Sequence, residues 1–442
     1  MKDPASIAEK AISFCKGDEA EAIVIKENSA LTRFSQNRIH QNMATESIQL
    51  LIRVITEGCQ GSYTTNRLDE DGMKHAADKA MEIAGSLPPE DSFPGLPSGY
   101  KSIKHESVAP ATRQCTPSRR GAIVRQIIDI AEKKKVEASG AVAVETTNLA
   151  IVNTNGIHAV HHGTSAELNL APSREPLSGY AYWIGKDIDD MPFVDFSHEA
   201  MDKAAFEGEP VNLDAGEYTV ILSPYAMGNL VRYLAYTSFG ARQYLEGRSF
   251  MSQMRGKKVT SERINISDNG LNPDGLPRAF DFEGVPKQKV WFIRNGIATD
   301  VVHDSVTAAK SGEKNTGHAL PSPNTEGPMP LNLFMEPGAS SEEEMISQVK
   351  KGLFITKFHY MNILEPVATI MTGMTKDGTF LIEDGKITAP VRNMRFTQNI
   401  LEALEGTISL SQNRRLYGSS SATVMAPSAL LERFRFTGVS SM

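Results

Sequence analysis

Hydrophobic and polar residues alternate along much of this chain, and a period of two is typical of strands with one buried face. In the first half this pattern predicts strands at residues 21–26, 31–38, 46–54, 141–152, 156–162, 165–170 and 179–184, with a short strand around Tyr63. Apolar residues at three- and four-residue steps predict helices at residues 5–15, 69–84 and 121–135. We therefore expect helices combined with antiparallel meanders, and a cap at Asp69.

Residues 86–118 are rich in proline and serine and show no clear period. Segments of this composition run over protein surfaces and often carry function. We expect a surface loop here, a candidate lid or interface loop.

Residues 215–256 predict a strand that leads into a long central helix. Apolar residues alternate from Tyr218 to Leu222, and Ser223-Pro224 combines a capping hydroxyl with proline at the first helical position. Apolar residues then recur at three- and four-residue steps. The helix contains no histidine, cysteine or aspartate, so it offers few groups for acid–base or metal chemistry.

The rest of the second half is expected to be dominated by strands. Strands are predicted at residues 258–266, 290–295, 296–302, 354–358 and 369–374, and a terminal apolar segment at 423–435. Residues 379–388 predict a hairpin around Asp384-Gly385. Helices are predicted at residues 340–351, capped by Ser341, and at 396–404.

These elements predict an α+β fold with two domains, since 442 residues suffice for two cores. Residues 1–207 would form an N-terminal mixed α/β domain with antiparallel meanders. Residues 208–442 would form a strand-rich C-terminal domain around the central helix. Gly208 and Pro210 mark the expected boundary.

Composition limits the partners and the compartment. The formal charge of −7 disfavours a nucleic-acid surface. Three widely spaced cysteines, Cys15, Cys59 and Cys115, predict reduced thiols and not a disulfide framework. The N-terminal residues lack the apolar core of a signal peptide, and no apolar run approaches the roughly 20 residues that span a bilayer. We expect a cytoplasmic protein with no nucleic-acid or membrane partner.

Three histidine-containing segments are candidate chemical sites. His198-Glu199 lacks the second histidine of a zinc-peptidase helix and predicts a helix start. His158, His161 and His162 on one strand are more typical of an exposed strand than of a metal site. His303, Asp304 and His318 flank a polar, glycine-containing segment that does not match a phosphate loop. They remain an alternative site for an unrecognised hydrolase.

Several segments together resemble one known family. They are GEYTVILSP at 216–224, NLFMEPG at 332–338, SEEEMI at 341–346, residues 373–380, and IEDGKITAPVRN at 382–393. In this order they resemble the TldD/PmbA family, cytosolic metallopeptidase-like proteins also known as modulators of DNA gyrase. The resemblance covers most of the chain and implies a two-subunit assembly. In it, a TldD-type subunit carries a His-Glu-x-x-x-His helix and a downstream cysteine that together bind zinc.

The resemblance also identifies the positions that matter for zinc. Alignment of Leu245-Glu246-Gly247 with the family's Leu-Glu-Gly places Ser238, Phe239 and Gln243 where histidine, glutamate and histidine would stand. Histidines five residues apart lie about 140° apart on a regular helix, so they converge on a metal only across a distorted turn. No cysteine follows Cys115. The chain thus resembles the TldE/PmbA-type subunit, and no catalytic, cofactor or metal residues are expected in it.

The leading hypothesis is therefore a subunit of a cytosolic zinc metallopeptidase system that degrades unfolded peptides, with the zinc in a TldD-type partner. A stand-alone homodimeric protein that binds peptides or another ligand is the alternative.

Overall fold

The computed structural model describes residues 3–89, 93–100 and 102–439. The N-terminal half forms a sheet with helices packed on one face. Its helices are α1 Pro4–Ile12, α2 Glu70–Ala84, α3 Pro110–Arg113, α4 Pro117–Lys134 and α5 Phe193–Ala204. Its strands are β1 Glu19–Ser35, β2 Arg38–Thr56, β3 Cys59–Thr65, β4 Ile103–Ser107, β5 Gly140–Asn153, β6 His158–Leu170, β7 Ser173–Arg174, β8 Leu177–Ser178 and β9 Ala181–Gly185.

The main sheet of this half has the strand order β3-β2-β1-β5-β6-β4, and β9 also pairs with β6. All of these pairs are antiparallel except β4 with β6. Alternation along β1 turns Ala22 and Val24 towards α1 and α2. Ile23 and Ile151 point to the opposite face, where they pack against Phe280 of the C-terminal half. The sheet is therefore buried on both faces at this end.

The C-terminal half is dominated by strands. Its helices are α6 Pro224–Ser238, α7 Ala241–Leu245, α8 Met251–Met254, α9 Ser305–Ser311, α10 Glu342–Ser347 and α11 Ile400–Glu405. Its strands are β10 Gly216–Leu222, β11 Ile266–Asp268, β12 Val290–Arg294, β13 Ile297–Ala298, β14 Asn332–Met335, β15 Lys351–Glu365, β16 Ile370–Glu383, β17 Lys386–Pro390, β18 Met394–Asn399, β19 Thr407–Ser419 and β20 Ala422–Val439.

Strands β10, β15, β16, β18 and β20 close into a barrel, because β20 pairs with β18 on one side and with β10 on the other. The long β20 also pairs with β19 and β14, and β14 continues the sheet into β11, β12 and β13. Helix α6 packs against β15 and β20 in the largest apolar core. The predicted α+β fold, with a strand-rich second half around a helix, is confirmed.

Local predictions with a capping or turn residue are confirmed. The Asp69 carboxylate accepts a hydrogen bond from the Gly72 N–H at 2.7 Å. Ser341 caps α10 reciprocally with Glu344. The β16–β17 hairpin turns at Asp384-Gly385, with Gly385 at φ +77°.

Several predicted boundaries are wrong. The strands predicted at 21–26 and 31–38 are one strand, β1, and those at 156–162 and 165–170 are parts of β6. Residues 396–404 are not one helix, because Phe396 pairs in the barrel with Gly373 and α11 starts only after Asn399. Residues 258–266 form an isolated bridge at Lys258 and enter β11 only at Ile266.

The segment at 86–118 is not entirely a loop, since it contains β4 and α3; its residues 90–92 and 101 lie outside the described part of the chain. The domain boundary between residues 207 and 208 stays a prediction. No helix within the described ranges is long and apolar enough to cross a membrane.

Candidate functional site

The candidate site lies where α6 meets α7. Helix α6 begins as predicted, with the Ser223 hydroxyl accepting a hydrogen bond from the Tyr225 N–H at 3.2 Å and Pro224 at the first helical position. Its residues Leu230 and Leu234 are buried in the main core. The helix is thus fixed along its length, and its C-terminal end has a defined position.

Helix α6 ends at Ser238, and the long helix predicted from the sequence is broken at Gly240. Gly240 has an extended backbone, with φ −87° and ψ 139°, and forms a bridge with Val302. The Ala241 N–H donates to the Val302 carbonyl at 2.9 Å. A Cβ at residue 240 would lie 2.5 Å from the Pro328 carbonyl oxygen, so only glycine fits. The prediction of one continuous helix is wrong because this distant segment takes over the backbone hydrogen bonding.

Ser238, Phe239 and Gln243 lie on the two sides of this break, and all three are buried. The Ser238 hydroxyl is 3.1 Å from the Thr237 hydroxyl. The Phe239 ring stacks on Phe292, with centroids 4.2 Å apart and planes inclined by 7°. Ser238 is therefore the last residue of the helix, and Phe239 packs in the core.

Gln243 is held by its amide group. Its Nε2 donates to the Glu326 carbonyl at 3.0 Å, while its buried Oε1 has no hydrogen-bond partner among the described residues. A buried carbonyl oxygen without a donor costs free energy. Gln243 is thus the one member of the trio with an unused polar atom.

The three side chains do not fit a zinc ion. Zinc in proteins is bound by imidazole, thiolate and carboxylate groups, and a phenylalanine ring has no donor atom. Across residues 3–89, 93–100 and 102–439, no three His, Cys, Asp or Glu side chains converge closely enough to hold a metal ion. That this chain has no zinc site stays a prediction.

Two cavities flank helix α7. The first, here the Gln243 cavity, measures about 310 Å³ and is lined by Gln243, Tyr236 and Leu364 among others. The second, the Arg53 cavity, measures about 610 Å³ and separates β2 and β3 from α7. Arg53 and Arg242 line it together with the carboxylates Glu246, Glu283 and Asp304.

A buried charge cluster forms one wall of the Arg53 cavity. The Arg53 guanidinium lies 2.9 Å from Glu21 and 3.6 Å from Glu283, and all three side chains are buried. Burial raises the pKa of Glu21 to about 7, with Glu283 adding to the rise and Arg53 opposing it. Glu21 and Arg53 belong to the N-terminal sheet and Glu283 to the C-terminal half, so the cluster joins the two.

Models of two domains from one family match the chain. The "PmbA/TldA metallopeptidase domain 1" matches residues 20–84. The "PmbA/TldA metallopeptidase C-terminal domain" matches residues 215–438, which is half of the chain. The chain belongs to the PmbA/TldD family.

Relatives of this PmbA/TldD family member are similar over more than four fifths of their length. A metalloprotease of Methanothermobacter thermautotrophicus is 23% identical over 397 residues, which are 83% of this chain and 82% of the relative. The metalloprotease PmbA homologue of Haemophilus influenzae is 21% identical over 96% of this chain and 93% of its own. The crystal structure of TldE from Thermococcus kodakarensis has the same fold, with a TM-score of 0.88 at 20% identity over 98% and 99% of the two chains.

The structure separates the histidine candidates. His198 and Glu199 lie inside α5 and not at its start, which corrects the prediction. His158 lies 3.2 Å from Glu9, and His162 lies 2.7 Å from the Asn148 side chain.

His161 is buried, with its Nδ1 3.0 Å from that of His105 and the two rings stacked. Burial lowers the pKa of His161 to about 3, so its ring is neutral. The prediction of an exposed strand is wrong at His161, because residues 276–282 of the C-terminal half cover this face of β6.

His303, Asp304 and His318 do not form a catalytic array. The Asp304 carboxylate caps α9 by accepting hydrogen bonds from the Thr307 N–H at 2.8 Å and the Thr307 hydroxyl at 2.7 Å. His318 pairs instead with Asp268, at 3.1 Å and fully buried. Burial lowers the pKa of both His303 and His318.

Sequence reasoning missed several buried charged groups and the partly buried Arg278. The buried ones include Glu21, Arg53, Arg120, Asp268, Asp281, Glu283 and Lys287. Their only trace in the sequence is a charged residue within an otherwise apolar run, as for Glu21 before Ala22, Ile23 and Val24. Which partner each one meets depends on segments far away in the chain.

Proposed function

We propose that this PmbA/TldD family member is a TldE/PmbA-type subunit of a cytoplasmic zinc metallopeptidase system that degrades unfolded peptides. The zinc belongs to a TldD-type partner subunit. The observation that carries the proposal is the stack of Phe239 on Phe292, at 4.2 Å, where the family resemblance expects the glutamate of the metal motif. A ring in that position can neither bind a metal nor accept a proton from water.

An apolar surface beside the Gln243 cavity supports a partner subunit. Tyr236, Tyr360 and Leu364 are 48%, 63% and 53% exposed, and two of them line that cavity. Exposed apolar side chains grouped in this way mark interaction sites. We propose that the TldD-type subunit covers this surface and completes the chamber.

An edge strand supports peptide binding by strand addition. Strand β3 is the last strand of its sheet, and its residues Gln60 and Ser62 line the Arg53 cavity. A sheet edge binds an extended peptide through main-chain hydrogen bonds, with little selection for sequence. We propose that unfolded peptides pair with β3 within this cavity.

The thiols support the cytoplasm as the compartment. Cys15, Cys59 and Cys115 are all unpaired. Free cysteines are typical of a reducing environment.

The test is zinc content and peptide cleavage, measured for this chain alone and after reconstitution with a His-Glu-x-x-x-His partner. We expect zinc and cleavage only with the partner, and no cleavage when the partner's motif glutamate is replaced by glutamine. Stoichiometric zinc and full activity in this chain alone would overturn the proposal. A stable homodimer that binds peptides but does not associate with such a partner would favour the stand-alone alternative.

The partner surface is tested by Leu364→Asp, with Leu271→Asp as the matched control. Leu271 is 52% exposed but does not line the Gln243 cavity. We expect the first substitution to weaken association by at least about tenfold, since it buries a charge in the interface. Equal effects of the two substitutions would contradict this role of the surface.

A further inference from the structure

A separate cavity of about 110 Å³ lies on the face of the N-terminal sheet opposite its helices. Strands β1, β5 and β6 form its floor, and residues 276–282 of the C-terminal half cover it. We refer to it as the Arg278 cavity. It shares no lining residue with the Gln243 or Arg53 cavities.

The Arg278 guanidinium is an unpaired cation on one wall of this cavity. It lies over the Phe282 ring, 4.5 Å from the centroid, and its Nε is buried. Among the described residues, none accepts a hydrogen bond from its side chain or lies within ion-pair distance of it. The two acids whose charges act on Arg278 are already engaged: Asp268 pairs with His318, and Asp281 accepts from the Ala319 N–H at 2.8 Å. Burial lowers the pKa of Arg278 to about 10, which still leaves it charged at neutral pH.

Two carboxylates line the same cavity from the strand floor. Glu27 is paired with Thr147 across β1 and β5, and Ser29 with Glu145, so Glu27 and Glu145 lie on the same face. Within the described ranges, neither carboxylate has a lysine or arginine at ion-pair distance. Glu27 lies at the exposed rim of the cavity; partial burial of its carboxyl group, followed by the Glu145 charge, raises the pKa of Glu27. This wall of the cavity thus favours a cation.

We propose that the Arg278 cavity binds a small free amino acid. Its carboxylate pairs with the Arg278 guanidinium, and its ammonium group lies between Glu27 and Glu145. A guanidinium binds a carboxylate through two parallel hydrogen bonds, and burial strengthens such charge-assisted bonds. A simple anion would pair only with Arg278, and a simple cation only with Glu27 and Glu145.

The size of the cavity favours a small side chain. A protein cavity of roughly 150 Å³ accommodates benzene. The Arg278 cavity is smaller, and Ile25 and Leu149 provide an apolar floor for a methyl-sized group. This inference does not rest on the proposed peptidase partnership, since binding is measured on this chain alone.

The test is a thermal-shift screen of the purified chain against the proteinogenic amino acids, followed by calorimetric titration. Alanine is compared with propionate, which lacks the ammonium group, and with ethylamine, which lacks the carboxylate. We expect saturable binding of alanine at one site per chain, with each analogue at least about tenfold weaker. The inference is overturned if no amino acid binds, or if propionate binds as tightly as alanine.

The variants Arg278→Met and Glu145→Gln locate the site, with Arg294→Met as the matched control. Arg294 also lies over an aromatic ring, Trp291, but outside the cavity. We expect Arg278→Met to weaken binding by at least about tenfold and Arg294→Met to leave it unchanged. If Arg278→Met does not fold, Glu145→Gln is measured in its place and is expected to weaken binding by at least about tenfold. Unchanged affinity in the folded variant would overturn the assignment.

Discussion

Phe239 and Phe292 lie in parallel contact in the core, with ring centroids 4.2 Å apart. Phe239 is fully buried and terminates the central helix of the C-terminal half. The family resemblance expects a catalytic glutamate at this position, where the structure has a phenylalanine ring packed in the core.

Phe239→Ala tests that packing role. We expect the free energy of unfolding to fall by about 3–5 kcal/mol, since a buried aromatic ring is lost and a cavity remains. Urea denaturation followed by circular dichroism measures the change. Tyr360→Ala, at a 63% exposed position, is the control and should change stability by less than about 0.5 kcal/mol. Similar losses for both would contradict the assigned role.

Asp268→Ala removes the acceptor of a buried, hydrogen-bonded Asp–His pair. His318 and the Asn332 N–H both donate to this carboxylate, so the substitution leaves them without a partner. We expect a loss of about 2–5 kcal/mol in unfolding free energy, since each buried donor left without an acceptor costs about 1–3 kcal/mol. The exposed Asp274, which lies 3.2 Å from Arg414, provides the control, and Asp274→Ala should cost less than about 1 kcal/mol. A loss for Asp268→Ala no larger than that of the control would exclude the buried pair as a stabilising element.

Arg53→Met tests the charge cluster that joins the two halves. The folded-state pKa of Glu21, about 7, lies above its ordinary value of 4.5. Stability from Glu21 protonation is therefore fully present below pH 4.5 and is lost as the pH rises through 7. Without Arg53, two buried carboxylates lose their cation, so we expect a loss of about 3 kcal/mol near pH 8 and a smaller loss near pH 5.

Unfolding free energies at the two pH values measure this difference. Arg67→Met is the control, because Arg67 is exposed and lies 3.5 Å from the exposed Asp69. Arg67→Met should change the unfolding free energy only slightly at both pH values. A loss for Arg53→Met that does not change with pH would show that the cluster does not titrate as described.

Tyr225→Phe tests the contact between α6 and β9. The Tyr225 hydroxyl accepts from the Tyr182 N–H at 3.1 Å and donates to the Tyr182 carbonyl at 3.2 Å. Arg415 also donates to it. Its removal leaves buried groups unsatisfied, and we expect a loss of about 1–3 kcal/mol in urea denaturation. Tyr236→Phe, at a 48% exposed position, should have no effect; an equal loss there would refute the assignment.

The sequence alone determined the elements whose stability is local. Asp69 and Ser341 cap helices that the structure contains, because a cap needs only a neighbouring N–H within three residues. Asp384-Gly385 determines its hairpin for a similar reason, since the turn conformation is set within two residues. The order of motifs along the chain also identifies the family, since it depends on the sequence alone.

The tertiary structure decided where those elements end and which charges meet. Helix α6 breaks at Gly240 because Val302, more than fifty residues away, accepts the hydrogen bond that the helix would have kept. Likewise, Arg53 meets Glu283, and Arg278 and Glu27 line one cavity, only once the two halves are packed together. Helix caps and turns depend on neighbours in sequence, whereas buried charges and cavities depend on neighbours in space, which no period in the sequence encodes.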